Sequence, residues 1–259
     1  VLIVQPAFSE YDKACRTNGC EIEYVKLGEP DWGLDAARII GRLDDVHAVF
    51  LCNPNNPTGV LYSEEEVLKL SEGCSERGVY LIIDEAFYDF AEEYRSLSRI
   101  LLSQPRLILL RSLTKMFAIP GLRLGYALAN KPVIDELAVL KPHWSVNGIA
   151  LEAGKECFGA ELFIEETIQY TKQERKKLFA FFKEYGFSHS PSKVNFYLLR
   201  DPLLDDPLPL FQFLLEKGIV PRHTMNFPGL DGKWLRFAVK KEEENRRLME
   251  VLTEWRRLR

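Results

Sequence analysis

The sequence predicts an α/β fold, a mainly parallel sheet sandwiched by helices, followed by a smaller C-terminal α+β unit. Three observations lead there. Apolar runs alternate with amphipathic stretches of helical length through the first half of the chain. The runs VLIV, AVFLC, VYLII and LILL are continuous rather than alternating, as strands covered on both faces are. Polar residues of chemically useful type follow these runs at their carboxyl ends, where open parallel sheets hold ligands.

Residues 1–4 read as a buried strand that runs into Gln5-Pro6-Ala7-Phe8. The chain opens inside that strand and without Met, which leads us to expect a missing N-terminal part. A helix is expected over 9–18, with Gly19 just past its end. A short strand over 21–25 and a weak helix over 34–43 follow. The strand over 48–52 breaks at Asn53-Pro54-Asn55-Asn56-Pro57-Thr58-Gly59. Ser63-Glu64-Glu65-Glu66 is a capping box that starts a helix running to about 76 and stopping near Gly78. The next strand, 79–83, ends in Asp84-Glu85. Another, 106–110, ends at a hydroxyl-rich turn, Ser112-Leu113-Thr114, before Lys115. A strand over 124–129 closes this part.

Beyond it the texture changes. Helices are expected over 131–140 and 147–158, around Pro142-His143-Trp144-Ser145, and a long charged helix over 161–185. Strands over 194–199, 219–221 and 235–239, a helix over 208–217 and a last helix from about 241 complete a second unit. The expected domains are 1–158, the larger unit, and 159–259, a smaller one.

At 259 residues the chain can bury a sizeable core, and 46% hydrophobic with 28% charged residues is ordinary for a globular protein. A formal net charge of −4 gives no footprint for nucleic acid or an anionic membrane. No apolar run is long enough to span a bilayer, and no signal peptide is visible. Cys15, Cys20, Cys52, Cys74 and Cys157 form no C-x-x-C, which points to reduced thiols and a cytoplasmic setting. The histidines lack metal-ligand spacing, so no metal site is expected.

Chemistry concentrates at strand ends. A lysine just past a buried strand, flanked by hydroxyls and by Arg123, suits an amine that forms a Schiff base beside a bound phosphate; an ordinary loop lysine is the alternative. Asp84, after VYLII, would be poorly solvated unless paired, and a protonated ring nitrogen would pair it; a helix cap is the alternative. The prolines and glycine around Asn56 fix a rigid turn that can aim one amide. Arg123 can clamp a phosphate with help from Ser112. Phe8 can lie on a heteroaromatic ring or pack in the core. Arg236, a charge inside an apolar strand, needs an anion, either a substrate carboxylate or a structural partner.

The motifs NNPTG (Asn55 to Gly59), DEAF (Asp84 to Phe87), SLTK (Ser112 to Lys115), GLRLGY (Gly121 to Tyr126) and LRFAV (Leu235 to Val239) resemble, in this order, those of fold-type I pyridoxal-phosphate (PLP) enzymes of the class I/II aminotransferase family. The resemblance implies PLP as cofactor. It implies Lys115 as the Schiff-base lysine and Asp84 as partner of the ring nitrogen. Phe8, Asn56, Ser112 and Arg123 become further cofactor ligands, and Arg236 the substrate-carboxylate arginine, with Asn56 also at the substrate. Arg222 and the region around Asn226 are candidates for a substrate phosphate. PAFSEY, SLTKMFAIPGLRLGY, WSVN and NFPGL are similar to the branch of threonine-phosphate decarboxylases, with histidinol-phosphate aminotransferases as near relatives. Phe87 fits that branch, because aminotransferases of the family usually carry a tyrosine there. The expected activity is therefore decarboxylation of a small phosphorylated amino acid, with transamination as the alternative and a ligand-sensing regulator domain as the non-enzymatic one. A cytoplasmic homodimer is implied.

Overall fold

The computed structural model describes residues 1–91 and 93–258. The first unit holds β1 (Leu2–Gln5), α1 (Ser9–Thr17), β2 (Glu23–Lys26), α2 (Ala36–Ile40), β3 (Ala48–Cys52), α3 (Glu64–Glu76), β4 (Tyr80–Asp84), β5 (Leu107–Ser112), α4 (Leu113–Met116) and β6 (Gly125–Ala129). Their strands form one sheet in the order β2-β1-β3-β4-β5-β6. Every pairing is parallel except β5 with β6, so the sheet is mainly parallel as the continuous apolar runs imply. Each parallel crossover carries a helix or loop across a face, and the helices bury both. One face packs Leu2, Val49, Leu81 and Leu107 against Ile39 and Leu70 of α2 and α3. The other packs Ile3 and Cys52 against Tyr11 and Cys15 of α1.

Ser63 caps α3 as expected, its hydroxyl accepting from the Glu66 N–H at 3.3 Å. Glu66 does not complete the box. Its carboxylate accepts instead from the Ala36 N–H at the start of α2, at 2.5 Å, and so ties two helix N-termini together. Gly78, at φ 68°, ends the turn after α3 in a conformation that suits glycine.

Helices α5 (Lys131–Leu140), α6 (Gly148–Cys157) and the 24-residue α7 (Glu161–Glu184) lead to a second sheet. That sheet holds β7 (Ser188–His189), β8 (Phe196–Arg200), β9 (Arg222–His223) and β10 (Leu235–Ala238), with α8 (Leu208–Glu216) and α9 (Glu242–Arg257) packed on it. Its order is β7-β8-β10-β9, all antiparallel. Leu178 and Phe182 of α7 and Leu248 and Leu252 of α9 bury against Tyr197 and Leu199 of β8. The short strand expected over 219–221 forms instead at Arg222–His223. Ile219 is drawn into the α8–α9 core, and pairing with β10 sets the strand three residues later. Among the described residues, no helix is long and apolar enough to cross a membrane, and the five cysteines are free thiols.

Candidate active site

Strands β1, β3, β4 and β5 are parallel neighbours, so their carboxyl ends open on one edge of the sheet. Cys52 and Asp84 are register partners, as are Asp84 and Leu110. A cavity of about 630 Å³ lies over these ends, and the loops that follow them line it. Phe8, Asn56, Asp84, Ser112, Lys115, Arg123, Arg222 and Arg236 all reach it. Residues up to 228 positions apart in sequence thus share one space.

Asp84 is the last residue of β4. Its Oδ1 accepts from the Ala86 N–H at 2.9 Å and its Oδ2 from the Tyr11 hydroxyl. The first contact is a local turn of the capping kind; the second crosses from α1. Burial pushes the Asp84 carboxyl above its ordinary value, against the Tyr11 and Ala86 donors and the positive charge of Lys115, which pull it down. A carboxylate held this way has spare lone pairs and favours a further donor or cation.

Ser112 ends β5 and caps the short helix α4. Its hydroxyl accepts from the Thr114 N–H at 3.3 Å and shares a hydrogen bond with the Thr114 hydroxyl at 2.8 Å. The expected turn is therefore a helical turn, which sets Ser112, Thr114 and Lys115 on the cavity wall. Lys115 is exposed to the cavity, with Nζ 5.9 Å from the centre of the Phe87 ring. Its ammonium makes no hydrogen bond or ion pair among the described residues. Arg123 adopts a left-handed backbone at φ 54°, an uncommon conformation for a side-chain-bearing residue that costs roughly 1 kcal/mol. Its Nη1 donates to the Pro120 carbonyl at 2.9 Å, and no carboxylate among the described residues meets it.

Asn56 sits in a turn fixed from inside. The Asn55 amide donates to the Pro6 carbonyl at 2.9 Å, and Asn55 Oδ1 accepts from the Thr58 hydroxyl at 2.7 Å. The Asn56 side-chain oxygen accepts from Arg236 Nη1. Arg236 lies over the Phe196 ring and has no carboxylate partner among the described residues. The structural ion pair weighed for it is absent there. Burial pushes its guanidinium down, and the nearby Arg222 charge adds to the shift. Arg222 reaches Asn226 Oδ1 at 3.4 Å. Phe8 is 41% exposed at the rim, so the core-packing alternative does not hold.

Four cations (Lys115, Arg123, Arg222 and Arg236) thus face one cavity without an ion-pair partner among the described residues, and Asp84 is the one carboxylate on its wall. Such an excess suits a ligand with several anionic groups. A fifth cation, Arg111, is neutralised by the fully buried Glu85 at 2.8 Å. Tyr11, Cys52 and Thr114 share the site although sequence reading assigned them nothing. Thr114 lies inside SLTK, and Tyr11 stands in the first turn of α1, three residues after the N-cap Phe8.

A family model described as aminotransferase class I and II matches residues 1–252. The chain is 34% identical over 254 residues to the threonine-phosphate decarboxylase of Salmonella typhimurium, spanning 97% of this chain and 69% of that protein. It is 27% identical over 260 residues to the histidinol-phosphate aminotransferase of Methanococcus aeolicus, spanning 98% and 68%. It superposes on the crystal structure of the histidinol-phosphate aminotransferase from Clostridium acetobutylicum with a TM-score of 0.94 at 30% identity, over 100% of this chain and 78% of that one.

Proposed function

The chain belongs to the aminotransferase class I and II family, and from that premise we propose that it decarboxylates L-threonine O-3-phosphate to (R)-1-aminopropan-2-yl phosphate, a step of cobalamin biosynthesis. The family is PLP-dependent. The residues present fit this group. A lysine amine without a partner, a carboxylate with spare lone pairs, an arginine that meets no carboxylate among the described residues and two hydroxyls line one cavity.

In this reading Lys115 would hold PLP covalently, and Asp84 would pair with its ring nitrogen. Asn56 would meet the ring hydroxyl, Phe8 the ring face, and Ser112 with Arg123 the phosphate. Bound there, PLP supplies a carbonyl carbon for an amine and a ring that accepts the electron pair of a broken Cα bond. Asp84 would keep a proton on the ring nitrogen by its negative charge. Arg236 and Asn56 would orient the substrate carboxylate, and Arg222 would bind its phosphate. Lys115, released from the cofactor by substrate, would deliver a proton to Cα. We assign cofactor binding to residues 1–158 and the substrate arginines to residues 159–259.

The observation that carries the proposal is the arginine pair. Arg222 and Arg236 are register partners on adjacent strands, and an amino acid with both a carboxylate and a phosphate would neutralise both. The 34% identity to a threonine-phosphate decarboxylase supports the same substrate class. Phe87, packed on Phe196 with ring centres 4.8 Å apart, has no hydroxyl for the cofactor. The structural likeness to a histidinol-phosphate aminotransferase favours a second reading, transamination of a phosphorylated substrate at the same arginines. The intact set of Lys115, Asp84, Asn56 and Arg123 around one cavity favours catalysis over a ligand-sensing role.

Exposed apolar side chains along Val139, Leu140, Trp144 and Ile149 support a homodimer. The free thiols support a reducing, cytoplasmic setting. The deciding assay incubates the PLP-loaded protein with L-threonine phosphate and measures carbon dioxide. Histidinol phosphate with 2-oxoglutarate is then supplied, and glutamate is measured. Carbon dioxide released without an oxo acid supports the first reading. Glutamate without carbon dioxide replaces it with the second.

A further inference from the structure

The roles above leave Tyr11 without a task, yet it touches two residues assigned to the cofactor. Its hydroxyl donates to Asp84 across 73 residues of sequence. Its ring stands edge-on to Phe8 at 6.2 Å between centres and 83°. The other face stacks on Phe50 of β3 at 5.5 Å and 17°, so the ring is clamped between α1 and the sheet. Phe8 and Tyr11 are also joined through the backbone, the Tyr11 N–H donating to the Phe8 carbonyl at 3.3 Å.

The two oxygens of Asp84 each receive one donor, Tyr11 on Oδ2 and the Ala86 N–H on Oδ1. Two fixed donors from opposite sides set the plane of the carboxylate and leave one lone pair on each oxygen. We propose that Tyr11 is a positioning residue, whose hydroxyl orients Asp84 toward the ring nitrogen of the cofactor and keeps it ionised there. This rests on the reading of Asp84 as the ring-nitrogen partner.

The need for the donor follows from the surroundings. The titratable groups around Asp84 are Tyr11 from α1, Cys52 from β3 and Lys115 from α4. Burial, with the Asp84 charge adding to it, pushes the Cys52 thiol up to about 12, so it stays neutral and adds no second negative charge beside Asp84. Lys115 carries a free ammonium only while the cofactor is absent; once it is linked to the cofactor, its charge comes and goes with the protonation of the linkage. The Tyr11 hydroxyl is then the side-chain donor that remains. Burial raises the Tyr11 phenol well above its ordinary value, so it stays protonated and keeps donating. Without that donor the carboxyl gains proton affinity, and the proton shared with the ring nitrogen shifts toward Asp84. The ring then loses positive charge and accepts electrons less well.

The experiment compares wild type, Tyr11→Phe and Asp84→Asn as PLP-loaded holoenzymes. Phenylalanine keeps the clamped ring and removes the hydroxyl alone. The pH midpoint of the lysine-linked absorbance band, the PLP dissociation constant and the melting temperature are measured. A positive ring nitrogen disfavours a second positive charge on the lysine linkage, so loss of ring charge raises the midpoint. Tyr11→Phe is expected to raise it by about half a unit or more and to weaken PLP binding about tenfold, the effect of one hydrogen bond to a charged group. Asp84→Asn is expected to shift the midpoint further. A midpoint moved in Asp84→Asn but not in Tyr11→Phe overturns the Tyr11 proposal and leaves the Asp84 reading standing. Midpoints unmoved in both overturn the Asp84 reading itself. A lowered melting temperature with an unmoved midpoint assigns Tyr11 to packing alone and also overturns the proposal.

Discussion

Arg222 and Arg236 face each other across β9 and β10, and each is left with a neutral amide as its hydrogen-bond partner: Asn226 for Arg222, Asn56 for Arg236. Two like charges side by side, one of them partly buried, are a cost that the free protein bears. The arrangement makes sense if an anion cancels it on binding.

Arg236→Met should therefore separate stability from function. Removing a partly buried charge that lacks a counter-ion is expected to leave the melting temperature unchanged or to raise it. The same change should raise KM for threonine phosphate by about 30-fold or more, since losing one partner of a buried charge pair costs about 2–5 kcal/mol. Arg222 is exposed, so Arg222→Gln should weaken binding less, and the loss should shrink as salt rises. A marked fall in melting temperature on Arg236→Met would instead identify a structural role for that charge.

Lys115→Ala tests the centre of the proposal. The amine has no partner to strand and the side chain is exposed, so stability should change by no more than about 0.5 kcal/mol. The lysine-linked absorbance band should vanish, and turnover should fall by at least about 10²-fold. A variant that keeps the band would refute the assignment.

Gly59 closes the turn that carries Asn56, at φ 73°. A Cβ there would lie 2.2 Å from the Ser192 hydroxyl oxygen and 2.8 Å from the Phe196 carbonyl. The same segment is held by the Ser190 hydroxyl on the Thr58 carbonyl at 2.6 Å and the Lys193 N–H on the Gly59 carbonyl at 2.9 Å. Gly59→Ala combines a left-handed backbone with overpacking, and about 2–4 kcal/mol of stability should be lost in denaturant melts. The turn should shift with it, so affinity for PLP should fall even in protein that remains folded.

What the sequence disclosed follows from which contacts are local. β3 and α3 are sharply bounded, one by an apolar run ending at Asn53-Pro54 and the other by Ser63 and Gly78, and both form where expected. β9 lies beyond the strand expected at 219–221 because its residues are exposed and polar; only pairing of Arg222 with Arg236 and of His223 with Leu235 makes them a strand. Glu66 completes no local box because a distant helix end, at Ala36, offers it an N–H. The convergence of Phe8, Asn56, Asp84 and Lys115 was legible because parallel strands must present their ends together. The Tyr11–Asp84 bond was not, because no pattern within α1 or β4 announces a partner in the other.

Asp201 supplies the pH dependence. It directly follows β8 and is fully buried, accepting from Arg256 at 2.7 Å, the Trp255 indole at 2.8 Å and the Leu203 N–H at 3.1 Å. Burial opposes its charge, but the hydrogen bonds from Trp255 and Arg256 outweigh that and hold the carboxyl below its ordinary 3.8. A depressed folded-state value means that the contribution is fully present above 3.8 and is lost as pH falls through the lowered value. Asp201→Asn should cost about 3 kcal/mol near neutral pH, because Arg256 is left without its countercharge. Glu174, also held low by Lys177 and Asn245 against burial, titrates alike in both proteins and cancels from the difference. The gap in melting temperature between wild type and variant should therefore hold down to about pH 3.8 and narrow below it. A gap that stays constant through that window would show that the charge of Asp201 does not hold α9 to the sheet.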